Sequence, residues 1–285
     1  MNPRVICLMD KLFRSYRPLI AIPVAITVIA LLIVVFNGLN ESVDLRGGSL
    51  ADLTLEKSIN NAELESILKE KLGLDDVKVI SAAGNRVTVQ FGTGVDVMKV
   101  TDALDGVAKI NSYRSVGPLL SKQALNQIYW AIGFAFLFMS ITVFIIFRDP
   151  IPSVAVILAA VSDIIIALGG MSVFGIPLSL ASIGAILMLI GYSVDTDILL
   201  TTRLLKQRKG EINRRAFGAM KTGLTMSITA IASMTALYLV TLFIIPEARV
   251  LSNIAAVLII GLAGDILTTW LMNLGILKWY LEAKA

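Results

Sequence analysis

The residues able to carry chemistry are few, and they sit where they are expensive. The stretch Gly191-Tyr192-Ser193-Val194-Asp195-Thr196-Asp197 runs on to Arg203 and closes a hydrophobic segment that begins near Leu178. That segment is long enough to cross a bilayer as a helix, yet it holds two carboxylates. An Asp at the centre of a membrane helix costs roughly 2.5–3.5 kcal/mol on insertion scales, so such residues face a protein interior or a wet cavity. At 1.5 Å per residue, Asp195 lies about 12 Å from Arg203, whose charge marks the end of the span. Asp163 and Asp265 stand near the middle of two other apolar runs, and Lys221 opens a further one at about the depth of the Asp195/Asp197 pair. An Asp–Lys pair across neighbouring helices lowers the cost of both charges. Breaking and remaking that pair as the acid takes up a proton turns proton flow into helix movement.

The same residues have a plainer use. A buried Asp can simply bond neighbouring helices, and Ser162, Ser193, Thr196 and Thr201 supply partners. Lys221 can extend its stem to the membrane interface. Asp195 and Asp197 are about 200° apart around a helix, so they cannot face the same neighbour, and the residues leave open which one carries a role. Gly169, Gly170, Gly184, Gly191, Gly261, Gly264 and Gly275 let helices approach closely, in a fixed or a sliding interface.

Covalent chemistry finds little support. Histidine is absent, which removes the commonest metal ligand and neutral-pH base. The single cysteine, Cys7, offers neither an internal disulfide nor a metal framework. An intramembrane aspartyl protease needs Gly-x-Gly-Asp on one helix and Tyr-Asp on another. Leu262-Ala263-Gly264-Asp265 lacks the first glycine, and Tyr192 precedes Ser193. No hydrolase triad or phosphate-binding loop appears. The expectation is a protein that is not an enzyme and needs no cofactor or metal.

The elements that must position these residues follow from hydropathy. With 56% hydrophobic and 16% charged residues over 285, the chain departs far from soluble usage. Runs of about 20 apolar residues predict spans at 19–38, 127–147, 151–172, 178–202, 222–245 and 250–277. The run at 19–38 exceeds a signal-peptide core and lacks a cleavage site, so it is read as retained. Arg4, Lys11, Arg14 and Arg17 precede it within residues 1–18. The segment 203–221 carries Arg203, Lys206, Arg208, Lys209, Arg214, Arg215 and Lys221 against Glu211. By the positive-inside rule this loop, the N-terminus and the tail 278–285 are cytoplasmic. The net charge of +4 flanks membrane spans and gives no sign of nucleic acid.

Residues 39–126 form a polar insert placed outside. Leu64, Ile67, Leu68 and Leu72 share a helical face behind the caps Asn60 and Asn61. Val97, Val100, Leu104 and Val107 repeat the pattern after Asp96. Val87, Val89 and Phe91 alternate with polar residues as in a half-buried strand, and further strands fit near 50–56, 76–82 and 109–116. The order β-α-β-β-α-β predicts a ferredoxin-like α+β domain. The fold class is thus a polytopic α-helical membrane protein of six spans, with this domain between the first and second and a five-helix bundle over 127–277.

Four motifs in this order resemble the SecD/SecF family of protein-export membrane proteins, within the resistance-nodulation-division superfamily. Asp44-Leu45-Arg46-Gly47-Gly48 is similar to the family's Asp-Phe-x-Gly-Gly, and Val116-Gly117-Pro118 to its Val-Gly-Pro. Ser162-Asp163 matches its His-Asp pair with Ser in place of His, and Gly191-Tyr192-Ser193 with Arg203 matches the fourth-span signature. The family pattern continues Asn-Asp-Ser where this chain has Asp195-Thr196-Asp197, which puts the functional acid at Thr196. Its role would then pass to Asp195 or Asp197, or be absent. The family's fifth-span arginine aligns with Lys221, which keeps the charge and loses the bidentate fork. Asp265 has no counterpart in the pattern, and the departures suggest an archaeal type. The resemblance implies an accessory subunit of the Sec translocase in the cytoplasmic membrane. It would work with SecD beside the SecY translocon, contact translocating polypeptide and membrane lipid, and couple export to the proton motive force. A half-size exporter of the same superfamily and a passive translocon scaffold are the competing readings.

Overall fold

The structure is a computed structural model and describes residues 16–56, 59–74, 76–83, 85–206, 212–245 and 248–284. Cys7, Arg4, Lys11 and Arg14 lie outside the described residues, as do Arg208, Lys209 and Glu211 of the basic segment. The chain divides into two compact units.

One unit is Glu41–Trp130 with Leu178–Leu180. After α1 (Tyr16–Asn37), the short α2 (Val43–Arg46) leads into β1 (Gly48–Leu55), α3 (Asn61–Leu72), β2 (Val77–Ala83), β3 (Arg86–Phe91), α4 (Val97–Ala103) and β4 (Ala108–Val116). The strands run β2-β3-β1-β4, and every neighbouring pair is antiparallel. That is the ferredoxin-like order. Alternation puts Ala51, Leu53, Val87, Val89 and Phe91 on one face, against Leu64 and Leu68 of α3 and Val100, Ala103 and Leu104 beside α4. Full burial of Leu64, Leu68 or Phe91 is worth about 1.5–3 kcal/mol each. Two expected details differ. Val97 is 40% exposed, because Val100 and Ala103 already fill the inward side of so short a helix. Asn60 occupies the N-cap position of α3 without a side-chain cap bond, whereas Asp96 accepts from the Met98 amide.

The glycine motif has a steric cause. α2 ends at Gly47 (φ +78°), and Gly48 follows at φ +129°. A Cβ on Gly48 would stand 2.5 Å from the Phe91 carbonyl oxygen, so no other residue fits the first position of β1. Gly48 pairs with Val116 across the β1–β4 ladder, which brings the first two family motifs side by side.

Among the described residues, six helical segments are long and apolar enough to cross a bilayer. These are α1 (Tyr16–Asn37), α5 (Pro118–Phe147), α6 (Pro150–Phe174), α7 (Leu180–Leu205), α8 (Ile212–Phe243) and a continuous last segment. That last one joins α9 (Arg249–Leu267), a π turn (Thr268–Asn273) and α10 (Leu274–Lys284). Pro118 opens α5 and Pro150 opens α6, the helix positions where a missing N–H costs nothing. The basic segment predicted as a loop over 203–221 is largely helical. Arg203 belongs to α7, and Arg214, Arg215 and Lys221 belong to α8. Hydropathy marks where the bilayer ends, whereas backbone hydrogen bonding carries a helix beyond it. Arg215 bonds the Leu204 carbonyl, closing one of the free acceptors at the end of α7.

Two apolar clusters bracket the centre of the bundle. Met139, Val143 and Phe147 of α5 pack on Val156 and Ala160 of α6 and on Ile190 and Val194 of α7. Leu19 of α1 meets Leu200 and Leu204 of α7, Ala216 and Ala219 of α8, and Trp270, Leu274 and Leu277 of the last segment. Close approach depends on glycine where backbones meet: a Cβ on Gly169 would lie 2.8 Å from the Ala30 Cβ and 3.1 Å from its carbonyl oxygen.

Candidate functional site

Three carboxylates from three helices converge between these clusters. Asp163 of α6 is 1% exposed, and Asp197 of α7 and Asp265 of α9 are fully buried. Their partners are hydroxyls and one amide. Ser193 donates to Asp163 Oδ2 at 2.5 Å, and Thr268 donates to Asp163 Oδ1. Asn273 Nδ2 donates to Asp197 Oδ1 at 2.7 Å. The Thr269 hydroxyl lies 2.8 Å from Asp197 Oδ1 and 3.0 Å from Asp265 Oδ1. Thr196 reaches both oxygens of Asp265, at 3.1 and 3.2 Å. Among the described residues, no Lys or Arg bonds any of these acids.

Local geometry explains the convergence. On α7, Ser193, Thr196, Asp197, Leu200, Thr201 and Leu204 are all buried and follow a three-or-four spacing, the signature of one helical face. On the last segment, Asp265 is followed by Thr268, Thr269 and Asn273, all fully buried. A π turn spans these three partners, and such wide turns occur mostly as isolated insertions inside α-helices, frequently at functional sites.

Thr268, Thr269 and Asn273 were not among the expected site residues. Their signal was present in the sequence: Asp265, Thr268, Thr269 and Asn273 stand at i, i+3, i+4 and i+8 within an apolar run. Polar residues at that spacing line one side of a membrane helix.

Two expectations require correction. Lys221 does not pair with Asp195 or Asp197; it is exposed and forms no ion pair among the described residues. The inward face of α8 is Ala216, Ala219 and Gly223, with Gly223 against the Trp270 ring. Lys221 lies two residues from both Ala219 and Gly223, hence about 200° away. Asp195 is likewise exposed. It shares an outward stripe of α7 with Gly184, Met188, Gly191 and Tyr192, opposite the face that holds Asp197. Gly184 and Gly191 also depart from the expected helix-packing role, since a Cβ on either would meet nothing within 4 Å. Gly169, Gly170, Gly261, Gly264 and Gly275 do have close neighbours.

The remaining motif residues divide between the units. Asp44, Gly47, Gly48, Val116 and Gly117 lie in the sheet-bearing unit with Pro118. Arg203 sits in the last turn of α7.

Residues 96–283 match the family model described as protein export membrane protein SecD/SecF, C-terminal. The chain belongs to the SecD/SecF family. It is 78% identical over 282 residues to the protein-export membrane protein SecF of Methanothermobacter thermautotrophicus, covering 99% of this chain and 98% of that one. The SecF of Methanocaldococcus jannaschii is 42% identical over 277 residues, covering 95% and 97%. The crystal structure of SecDF from Thermus thermophilus, a translocon-associated membrane protein, superposes with a TM-score of 0.76 at 21% identity. That match covers 93% of this chain but 38% of the other, so it establishes a shared fold with a much longer chain. Asp163 and the Gly191-Tyr192-Ser193 run fall inside the SecD/SecF family match.

Proposed function

We propose that this protein is a subunit of the protein-export machinery that turns proton movement across the cytoplasmic membrane into helix movement within its bundle. The observation that supports this reading is the trio Asp163, Asp197 and Asp265, buried on three spans with only hydroxyl and amide partners. Three ionised carboxylates in a shielded interior without a cation are prohibitively unfavourable. Protonation neutralises such groups in place. Because each acid bonds a neighbouring helix, gain or loss of a proton changes which helix–helix bonds form, and a bundle with two packings shifts between them.

The partner in this reading is SecD, acting beside SecY on translocating polypeptide. The outward stripe of α7 supports a helical partner. Asp195 on that stripe would be costly against lipid, and Gly184 and Gly191 leave room for a close helix. Sidedness follows from Arg203, Lys206, Arg214, Arg215 and Lys221 around the α7–α8 connection, which belong inside. Both termini are then cytoplasmic and the ferredoxin-like unit is extracytoplasmic, where it can engage emerging chain. No bond-making chemistry is assigned to the protein.

The test is export of a signal-bearing reporter with Asp163→Asn, Asp197→Asn or Asp265→Asn, with and without a proton uncoupler, with membrane abundance as control. The expected result is loss of the uncoupler-sensitive part of export at normal abundance. Unchanged export in all three variants rules out coupling through these acids.

A further inference from the structure

Thr269 stands between two acids that belong to different helices. Its Oγ1 is within hydrogen-bond distance of Asp197 Oδ1 (2.8 Å) and of Asp265 Oδ1 (3.0 Å). A threonine hydroxyl owns one proton. It donates to one of these oxygens and, at the other, can be bonded fully only by accepting. A carboxyl oxygen donates only when it carries a proton. Thr196 repeats the constraint on the far side of Asp265. Its hydroxyl lies 2.8 Å from the Ser193 carbonyl and 3.1 Å from Asp265 Oδ1, so its one proton serves the carbonyl or the carboxyl but not both. The groups facing this triangle are Asp163 of α6, with Ser193, Thr196 and Asp197 of α7 and Thr268 and Asn273 of the last segment. None is cationic.

We propose that Thr269 is a relay residue through which Asp197 and Asp265 hold one proton in common and pass it between α7 and α9. The proposal rests on the proton-coupled reading above and names the group that connects its acids. In the transfer, the O–H bond at Asp265 Oδ1 breaks and its proton joins Thr269 Oγ1. The hydroxyl's own O–H bond breaks at the same time, and that proton forms a new O–H bond at Asp197 Oδ1. Thr269 ends as a hydroxyl pointing the other way, the negative charge moves from Asp197 to Asp265, and nothing is oxidised or reduced. Beyond Asp197 no further hydroxyl is bonded in series among the described residues. Asp197 Oδ2, Thr201 Oγ1 and Asn273 Oδ1 are buried oxygens without a hydrogen-bond partner among the described residues. Thr201 and Asn273 lie one turn further along their helices, towards the Arg203 end.

The experiment compares Thr269→Val, which keeps the shape and removes the hydroxyl, with Thr269→Ser, which keeps the hydroxyl. Asp197→Asn and Asp265→Asn are measured alongside, all in the full chain. Uncoupler-sensitive export is measured in cells. The C=O stretch of protonated carboxylic acid is measured by infrared difference spectroscopy on purified protein. Thr269→Val should lower uncoupler-sensitive export about a hundredfold, the low end of what a positioned proton-transfer group contributes. Thr269→Ser should restore it, and each Asp variant should remove or shift the same infrared band. Wild-type export by Thr269→Val while the Asp variants fail overturns the relay and leaves the coupling reading intact. Wild-type export by the Asp variants overturns the coupling reading itself. Should Thr269→Val not accumulate, a band left unmoved by Asp265→Asn overturns the shared proton.

Discussion

Ser193 of α7 donates a 2.5 Å hydrogen bond to Asp163 of α6, tying the serine of the fourth-span signature to the acid of the third-span motif. Both side chains are buried, so Ser193→Ala removes the donor without admitting a substitute. The cost expected for a buried acceptor left without its partner is about 1–3 kcal/mol. Thermal unfolding of the detergent-purified protein should show a lowered midpoint, and Ser193→Thr should recover part of it.

Gly169 and Gly184 should respond oppositely to the same methyl group. Gly169→Ala places a Cβ 2.8 Å from Ala30 Cβ and 3.1 Å from its backbone oxygen, so α1 and α6 must separate. About 1–3 kcal/mol is the usual penalty for such overpacking. Gly184→Ala meets nothing within this chain, and its isolated stability should hold within about 0.5 kcal/mol. Co-purification with SecD is where the Gly184 variant should show its loss. A wild-type yield of complex would remove the α7 stripe as a docking face.

Asp195 and Lys221 are predicted to act independently. Neither side chain meets the other, so the stability effects of Asp195→Asn and Lys221→Met should add to within about 0.3–0.5 kcal/mol in a double-mutant cycle. A coupling energy well above that would mean that the pair forms after all.

Leu68 is fully buried beneath the sheet of the ferredoxin-like unit. Leu68→Ala should destabilise that unit by about 2–5 kcal/mol, and limited proteolysis of intact membranes should cut within Glu41–Trp130 faster than in wild type. Gly48→Ala should be at least as damaging, since its Cβ would collide with the Phe91 carbonyl at a φ that disfavours any side chain.

Much of this was legible without coordinates. Runs of apolar residues mark spans because the bilayer demands them one helix at a time. Alternation in Val87–Phe91 and the helical spacing of Leu64 and Leu68 mark the ferredoxin-like unit for the same local reason. The 200° between Asp195 and Asp197 already required that they part company. The polar register of Asp265, Thr268, Thr269 and Asn273 was equally readable.

The choice between the two acids was not. Which side of α7 turns inward depends on the apolar partners offered by α1, α5, α6 and α8, a sum over distant segments that no local pattern contains. The same holds for Lys221, which points outward because Gly223 must face Trp270. The sequence by itself determined how many helices cross and which residues are charged within them. Only the tertiary packing decided which charges meet, because burial is a property of a surface shared by several helices.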